Sequence, residues 1–246
     1  MKIEPAADLN ALNEYIKSAS AAGNAGASMN KFPFITISRQ TGAGGHSLAE
    51  AVLGEMKRKP SPLFDGWRVL DQELCAGVFE DPKLKVPLDS LLKEKFVKEM
   101  EDYLSQLLSG TSPQIAVFHK TAKLIRAFAS AGKVIVVGRA GSLLTRNLPL
   151  GIHVRLVASL EARVNRMMRQ FRLGRAEAEK QVKEQDASRA LLVRSYFNGK
   201  DINDPLLYDA VWNTDSVSIP EIAAVLARMV EEKARSGAAK GAVSSV

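Results

Sequence analysis

The chain has 246 residues, a net charge of +7 and a single cysteine, Cys75. This length allows one sizeable domain with an extension or two small domains, and one cysteine excludes an internal disulfide. No apolar run reaches the roughly 18 residues that a membrane-spanning helix needs, and acidic residues interrupt the N-terminal segment where a signal peptide would be apolar. We therefore expect a cytoplasmic protein with no membrane partner.

The chain begins with a segment, residues 1–31, that indicates an appendage. A short amphipathic helix is predicted at about 8–18, followed by a linker rich in alanine, glycine and serine. From residue 32 to 232, short apolar runs alternate with stretches of helical periodicity, which predicts βαβ units and an α/β fold with a parallel sheet. The predicted strands are 34–37, 67–70, 134–137, 153–157 and 208–212. The predicted helices are 47–58, 71–80, 90–109, 115–131, 159–173, 175–195 and 219–234, and residues 233–246 are expected to form a flexible tail.

The first predicted strand ends in a glycine-rich turn, residues 38–47, that leads directly into a helix. Such a turn forms an anion site, because its N–H groups can point inward and the helix dipole adds positive potential. The turn is not a complete phosphate-binding loop. When Gly44 is taken as the second glycine, Arg39 stands at the first glycine and Gly45 at the lysine; a shift by one puts Gln40 and His46 at those positions, so neither register supplies a lysine. On these residues alone, a phosphate site and an ordinary tight turn are equally supported.

The net positive charge permits three kinds of anionic partner: a nucleic acid, a lipid surface or a phosphorylated small molecule. Arginines concentrate between residues 163 and 175 and are less clustered elsewhere, so the charge is a local feature of the chain. Only Phe171 interleaves with these arginines, which makes nucleic-acid binding the weakest functional hypothesis. The arginine series also fits a solvated helix face.

The sequence resembles the cytidylate kinase-like branch of the nucleoside-monophosphate kinases over about residues 33–230. The turn RQTGAGGHS is similar to the kinase loop GPSGAGKGT, with Ser47 at the final threonine. Further segments follow in the family's order: VLD (69–71), VGRA (137–140), HVRLVA (153–158), LEARVNR (160–166), DPLLYD (204–209) and NTDS (213–216). The resemblance implies a P-loop, three-layer αβα fold with a helical acceptor-binding insert at about 71–112 and a lid region at about 159–195.

The resemblance also implies an activity: an ATP- and Mg²⁺-dependent kinase that phosphorylates a small phosphorylated acceptor, CMP or dCMP. Ser47 is expected to ligate Mg²⁺. The residues expected to bind the donor phosphates are Gln40, Thr41, Gly42, Ala43, Gly44, Gly45, His46 and Ser47. The expected catalytic residues are Arg39, Arg139, Arg163 and Arg166. The expected acceptor-binding residues are Asp71, Arg139, Asp186 and Arg189.

Three positions depart from cytidylate kinase itself. The loop has no lysine, Ala140 replaces an aspartate, and Gly77 lies near the position of a substrate-binding arginine; the branch shares the first two departures. Because phosphoryl transfer depends on positioning and on cations around the phosphates, a site built on arginines is physically credible. A catalytically weak or inactive nucleotide-binding regulatory protein is the alternative, and helix capping is an equal alternative for Asp71. The acceptor's identity, the oligomeric state and the role of residues 1–31 stay open.

Overall fold

The structure is a computed structural model and describes residues 32–71, 75, 102, 104–105, 113–138 and 140–243. A single sheet contains β1 (Phe34–Arg39), β2 (Arg68–Leu70), β3 (Val134–Val137), β4 (Gly151–Val157) and β5 (Ala210–Asn213). The described helices are α1 (Gly45–Lys57), α2 (Pro113–Ala131), α3 (Gly141–Thr145), α4 (Leu160–Phe171), α5 (Arg175–Tyr196) and α6 (Ile219–Val243). None of them is both long and apolar enough to cross a membrane.

The central strands are buried on both faces because they are almost entirely apolar. All four residues of β3 are buried, as are the first four of β1, and such continuous apolar runs are typical of parallel strands covered on both sides. Alternate residues enter different cores. Phe34 and Val136 pack in a core that includes residues of α2, α3 and α5, whereas Ile35 and Ile135 pack with α1 and α6. The predicted three-layer α/β fold with a parallel sheet is confirmed.

The strand order is β2-β3-β1-β4-β5, and every neighbouring pair is parallel. Ile35 of β1 lies opposite Ile135 of β3 on one side and opposite Ile152 of β4 on the other. The chain therefore places β2 and β3 on one side of β1 and then crosses to β4 and β5 on the other. In open parallel sheets, ligands bind where the strand order reverses in this way, beside the carboxyl ends of the strands.

A buried histidine, His153, ties β4 to its neighbours. Its Nδ1 atom lies 2.9 Å from Oγ1 of Thr36 in β1, and its backbone N–H donates to the carboxylate of Asp209 at 2.7 Å. Burial lowers the pKa of His153 to about 4, although the negative charge of Asp209 opposes the shift. The imidazole is therefore neutral at neutral pH and serves the sheet as a hydrogen-bonding group.

The predicted elements agree with the structure apart from their ends and two omissions. The last helix was predicted to end at residue 234, which is wrong, because α6 continues to Val243 and packs closely against Leu150 at Gly237, where an ideal Cβ would lie 2.6 Å from Cδ2 of Leu150. The short helix α3 and a 3₁₀ turn at Pro205–Leu207 were not predicted. The appendage at 1–31 and most of the predicted helices 71–80 and 90–109 lie outside the described residues. The division into appendage, kinase-like domain, insert, lid and tail stays a prediction.

Candidate functional site

The glycine-rich turn between β1 and α1 contains two left-handed backbone positions, Gly42 at φ 79° and Gly44 at φ 93°. Gly42 is required by close approach as well, since an ideal Cβ there would lie 2.6 Å from the carbonyl oxygen of Arg163. At the start of α1, the N–H of Leu48 donates to the carbonyl of Gly44 at 2.9 Å. The N–H groups of residues 45–47 precede this first bond and have no acceptor within the helix. The turn thus has the helix N-terminus and the backbone bends that bind anions.

Two arginines of α4 hold this turn by its carbonyl oxygens. Nη1 of Arg163 donates to the carbonyl of Thr41 at 3.2 Å, and Nη1 of Arg166 donates to that of Gly42 at 3.3 Å. The C=O and N–H groups of a trans peptide point in opposite directions. These bonds therefore direct the N–H groups of Gly42 and Ala43 away from α4, and the N–H of Ala43 donates within the turn to the carbonyl of Gln40 at 3.1 Å. The predicted role of both arginines at the transferred phosphoryl group stays a prediction.

Arg166 also connects the turn to the segment after β5. Its guanidinium donates to Oγ1 of Thr214 at 2.8 Å and to the carbonyl of Thr214 at 2.6 Å, and Nη2 lies 3.7 Å from the Asp215 carboxylate. Asp215 in turn accepts the backbone N–H of Ser159 at 2.7 Å. This hydrogen bond lowers the pKa of Asp215 below its ordinary value. The NTDS segment thus anchors the start of α4 and one of its arginines.

A carboxylate on α5, Asp186, makes the most extensive polar contacts with the turn. It accepts the backbone N–H of Thr41 at 2.7 Å and the hydroxyl of Thr41 at 2.8 Å. It also pairs with Nη1 of Arg163 at 2.6 Å and with Nη1 of Arg189 at 3.4 Å. Arg189 donates to the Thr41 hydroxyl at 2.5 Å and to the side chain of Gln185 at 3.3 Å. Asp186 and Arg189, both predicted to bind the acceptor, therefore contact Thr41, which was predicted to bind the donor phosphates. Asp186 also contacts Arg163, which was predicted to be catalytic.

A cavity with a volume of about 500 Å³ opens at the carboxyl ends of β1 and β3, the region where the strand order reverses. Two predicted site residues line it, Arg39 and Arg189, whereas residues 40–47 do not. The other polar residues in its wall were not predicted: Ser38, Ser142, Glu184, Gln185, Ser188 and Tyr208. The first two could have been suspected from the sequence, because Ser38 follows the apolar run that predicts β1 and Ser142 lies shortly after the segment VGRA.

A buried arginine, Arg155 of β4, lies behind the cavity wall. It is 4% exposed; Nη1 donates to the hydroxyl of Ser38 at 2.8 Å, and Nη2 donates to the side chain of Asn203 at 2.9 Å. The hydroxyl of Tyr208 lies 2.8 Å from the carbonyl of Ile202 and 3.2 Å from Oγ of Ser38. A carbonyl can only accept, so the single phenol proton goes to Ile202 and Ser38 donates to Tyr208. These partners are all neutral, and a buried cation among neutral groups favours an anion in the adjoining cavity.

The remaining predicted residues lie apart from the cavity or outside the described part of the chain. Nε2 of His46 lies 3.5 Å from the carboxylate of Asp71, and the carbonyl of Asp71 accepts the N–H of Cys75 at 3.1 Å, as at the start of a helix. Ser47 is exposed in the first turn of α1. Arg139 lies outside the described residues. Within the described residues, no group of three or more His, Cys, Asp or Glu side chains could hold a metal ion.

The chain is similar to proteins of known structure and to one protein family. The crystal structure of an uncharacterized protein from Eubacterium ventriosum is similar, with a TM-score of 0.62 and 18% identity over 81% of this chain and 98% of that one. The crystal structure of APE1195 gives a TM-score of 0.46 and 14% identity over 83% and 98% of the two chains. No curated protein matches the sequence. The model of the cytidylate kinase-like family matches residues 34–216, well over half of the chain, and the protein therefore belongs to the cytidylate kinase-like family.

Proposed function

We propose that the protein transfers the γ-phosphoryl group of ATP to a small acceptor that already carries a phosphate, by resemblance CMP or dCMP. The observation that carries this proposal is the position of Arg39. This residue ends the strand that leads into the glycine-rich turn, and its side chain lines the cavity at the carboxyl ends of β1 and β3. A donor on the turn and an acceptor in the cavity would therefore meet beside one cation.

The donor side of the proposal rests on the backbone of the turn. ATP would place its phosphates against the N–H groups at the start of α1, where the helix dipole favours negative charge. Arg163 and Arg166 would keep these groups in place through their bonds to the carbonyl oxygens of the turn. Both arginines act here as positioning residues, because a fixed array of N–H donors stabilises a phosphate without reorganisation.

The acceptor side rests on the chemistry of the cavity wall. A phosphate monoester has its second pKa near 6, so it is largely dianionic at neutral pH and needs no general base to attack. Among the residues that line the cavity, Glu184 carries the carboxylate, and Oε1 of this carboxylate lies 3.9 Å from Nζ of Lys180. Arg189 in the wall and Arg155 behind it both favour an anion. A phosphorylated acceptor therefore fits this cavity better than a neutral alcohol.

The residues near the start of α1 are compatible with Mg²⁺, because this ion needs few ligands from the protein. This ion is commonly held by one or two protein oxygens together with phosphates and water, and the exposed hydroxyl of Ser47 lies in the first turn of α1, where it can serve as one ligand. When bound, Mg²⁺ would neutralise charge on the β- and γ-phosphates. His46 and Asp71 lie close to one another near this end of α1.

The proposed reaction consists of one displacement. An oxygen of the acceptor's phosphate forms a bond to the γ-phosphorus, and the bond from that phosphorus to the β–γ bridging oxygen breaks. The electron pair of the broken bond stays on the departing ADP. The protein contributes by aligning the two phosphates and by surrounding the transferred group with cations and N–H donors. Excluding water from the closed site would prevent hydrolysis of ATP.

The test is a turnover assay with ATP, Mg²⁺ and a panel of nucleoside monophosphates, in which chromatography measures ADP and the new diphosphate. We expect CMP or dCMP to yield both products in equal amounts. Arg189→Ala should lower kcat/KM for the acceptor by about 10- to 100-fold, the value of one or two charge-assisted hydrogen bonds. The exposed Arg194 on the same helix provides the control, and Arg194→Ala should leave the rate unchanged. If no monophosphate raises ADP formation above the acceptor-free rate, the proposal is wrong.

The missing loop lysine supports one alternative, a nucleotide-binding regulatory protein without catalysis. Gly45 at the lysine position provides no charge of its own, and the N–H of Thr41 is already bound by the Asp186 carboxylate. This alternative predicts that ATP or CMP binds, as measured by calorimetry, with no product in the turnover assay. Transfer at ordinary kinase rates would exclude it.

A further inference from the structure

The side chain of Arg39 occupies the space that belongs to residue 45. An ideal Cβ on Gly45 would lie 3.0 Å from Cγ of Arg39, 3.1 Å from its Cδ and 3.3 Å from its Nε. Distances below about 3.4 Å are tighter than most real Cβ contacts, so a side chain on residue 45 would displace Arg39. The position at which the related kinase loops carry their lysine is therefore filled by an arginine that comes from β1.

The far end of the same side chain reaches the turn after β3. An ideal Cβ on Gly138 would overlap Nη1 of Arg39 and would lie 3.0 Å from its Cζ. Gly138 also has a positive φ of 82°, so a residue without a side chain is required there on two grounds. Two glycines, one at the start of α1 and one after β3, thus make room for a single arginine that extends between them.

From these contacts we infer that Arg39 replaces the missing loop lysine as the cation at the transferred phosphoryl group. This inference rests on the proposed function and assigns a catalytic role within it. Arg39 begins at the turn, passes the N-terminal residue of α1 and lines the cavity proposed for the acceptor. Its planar guanidinium can bind two phosphate oxygens at once, which lysine cannot do. It can therefore contact donor and acceptor together while the bond between the γ-phosphorus and the bridging oxygen breaks.

Arg39 extends from a different element than a loop lysine would, and this difference affects how precisely the cation is positioned. A loop lysine would extend from the first turn of a helix, whereas Arg39 extends from the last residue of β1, which is paired with Leu156 of β4. Its base is therefore fixed by the sheet, and Gly45 and Gly138 define the two surfaces along which the side chain lies. An ordered guanidinium loses less conformational freedom when phosphates bind than a mobile ammonium group does.

The decisive experiment moves the cation from residue 39 to residue 45. Arg39→Gly should lower kcat by about 10²- to 10³-fold, as expected for removal of one preorganised donor to the transition state. Gly45→Lys alone should also impair the enzyme, because the new side chain collides with Arg39. Combined, Arg39→Gly and Gly45→Lys should recover at least about tenfold of the loss, since the lysine then enters the space that Arg39 has left. Gly45→Lys would thus lower kcat in the wild type but raise it in Arg39→Gly. A merely structural role for Arg39 would not produce these opposite effects.

Two results with these variants would contradict the role of Arg39. The inference is wrong if Arg39→Gly keeps the wild-type kcat, or if the double variant is no better than Arg39→Gly while its thermal unfolding matches that of the wild type. Should Arg39→Gly not fold, Arg39→Lys keeps a cation on β1, and we expect it to retain more activity than Arg39→Met. A wild type without turnover would overturn the proposed function, and the inference would then be decided by calorimetry with inorganic triphosphate. Affinity for this probe should fall in Arg39→Gly and recover in the double variant; no such change would refute the inference.

Discussion

Replacement of Asp186 by asparagine tests whether this carboxylate holds the glycine-rich turn in place. The change keeps the shape of the side chain, and the amide oxygen can still accept the N–H of Thr41. It removes the negative charge that pairs with Nη1 of Arg163 at 2.6 Å and with Nη1 of Arg189 at 3.4 Å. Arg163 would then keep a positive charge in a buried position with two backbone carbonyl oxygens as its remaining acceptors.

The expected magnitude follows from the exposure of the two partners. Removing one member of a fully buried ion pair costs about 3–5 kcal/mol, because the other charge is left uncompensated. The Arg163 side chain is 9% exposed but that of Asp186 is 26% exposed, so solvent screens part of the interaction. We therefore expect Asp186→Asn to lower the free energy of unfolding by about 2–3 kcal/mol. The KM for ATP should rise as well, because the charged contacts of Asp186 no longer hold the glycine-rich turn in place.

Urea unfolding of matched variants provides the measurement. Glu179→Gln is the control on the same helix, since the pair between Glu179 and Lys183 at 2.6 Å is largely exposed and should contribute little to stability. In a background of Arg163→Met no buried charge is left unpaired, and Asp186→Asn should then cost less than half as much. The reasoning is refuted if Asp186→Asn costs no more than Glu179→Gln, or if its cost is the same in both backgrounds.

Two further predictions concern buried basic side chains, the neutral imidazole of His153 and the charged guanidinium of Arg155. The pKa of His153 is about 4 in the folded protein against 6.5 for the unfolded group. Because the unfolded chain binds this proton more readily, the contribution of His153 to the free energy of unfolding is complete above pH 6.5 and is lost as the pH falls toward 4. Between pH 7 and pH 5 this loss should reach about 2 kcal/mol in the wild type. Urea unfolding of His153→Asn at the same pH values should lack the loss. If stability changes with pH in the same way in both proteins, the prediction is wrong. Arg155→Gln should weaken binding of CMP about tenfold but leave cytidine binding nearly unchanged, as measured by calorimetry with Arg155→Lys as the charge-preserving control. An equal loss for both ligands would indicate a structural role alone.

The sheet was predictable because its signals are local. The run Val134–Val137 is continuous and apolar, and the turn after β1 carries its glycines in sequence. Parallel strands separated by helices then follow from a small set of allowed connections. The helix ends were less predictable, since tertiary packing and propensity compete there; α6 continues nine residues beyond the position at which its periodicity weakens.

The candidate site was predictable only in part, because its decisive contacts join distant residues. The sequence identified Arg163 and Arg166 as cations on one helix face, but their bonds to the carbonyl oxygens of Thr41 and Gly42 cross more than a hundred positions. No local pattern reveals such a partner. Arg155 and Tyr208 lie in segments that resemble the family, HVRLVA and DPLLYD, yet neither segment indicates that the two side chains meet at the wall of a cavity.

The distribution of compensated charge decides which cations can attract a ligand. Arg163 and Arg166 lie beside the carboxylates of Asp186 and Asp215, so much of their charge is balanced within the protein itself. A phosphate approaching the turn would gain little from these two arginines beyond the N–H groups that they orient.

Arg155 differs from them, because the hydrogen-bond acceptors that face its guanidinium are neutral oxygens. The desolvation that this cation undergoes on folding is therefore offset only in part within the described residues, and an anion in the cavity would supply the remaining stabilisation. It follows that the net attraction for phosphate lies at the carboxyl ends of β1 and β3 rather than along the basic helix α4. This distribution of charge supports the proposed small phosphorylated ligand, rather than a nucleic acid, as the anionic partner.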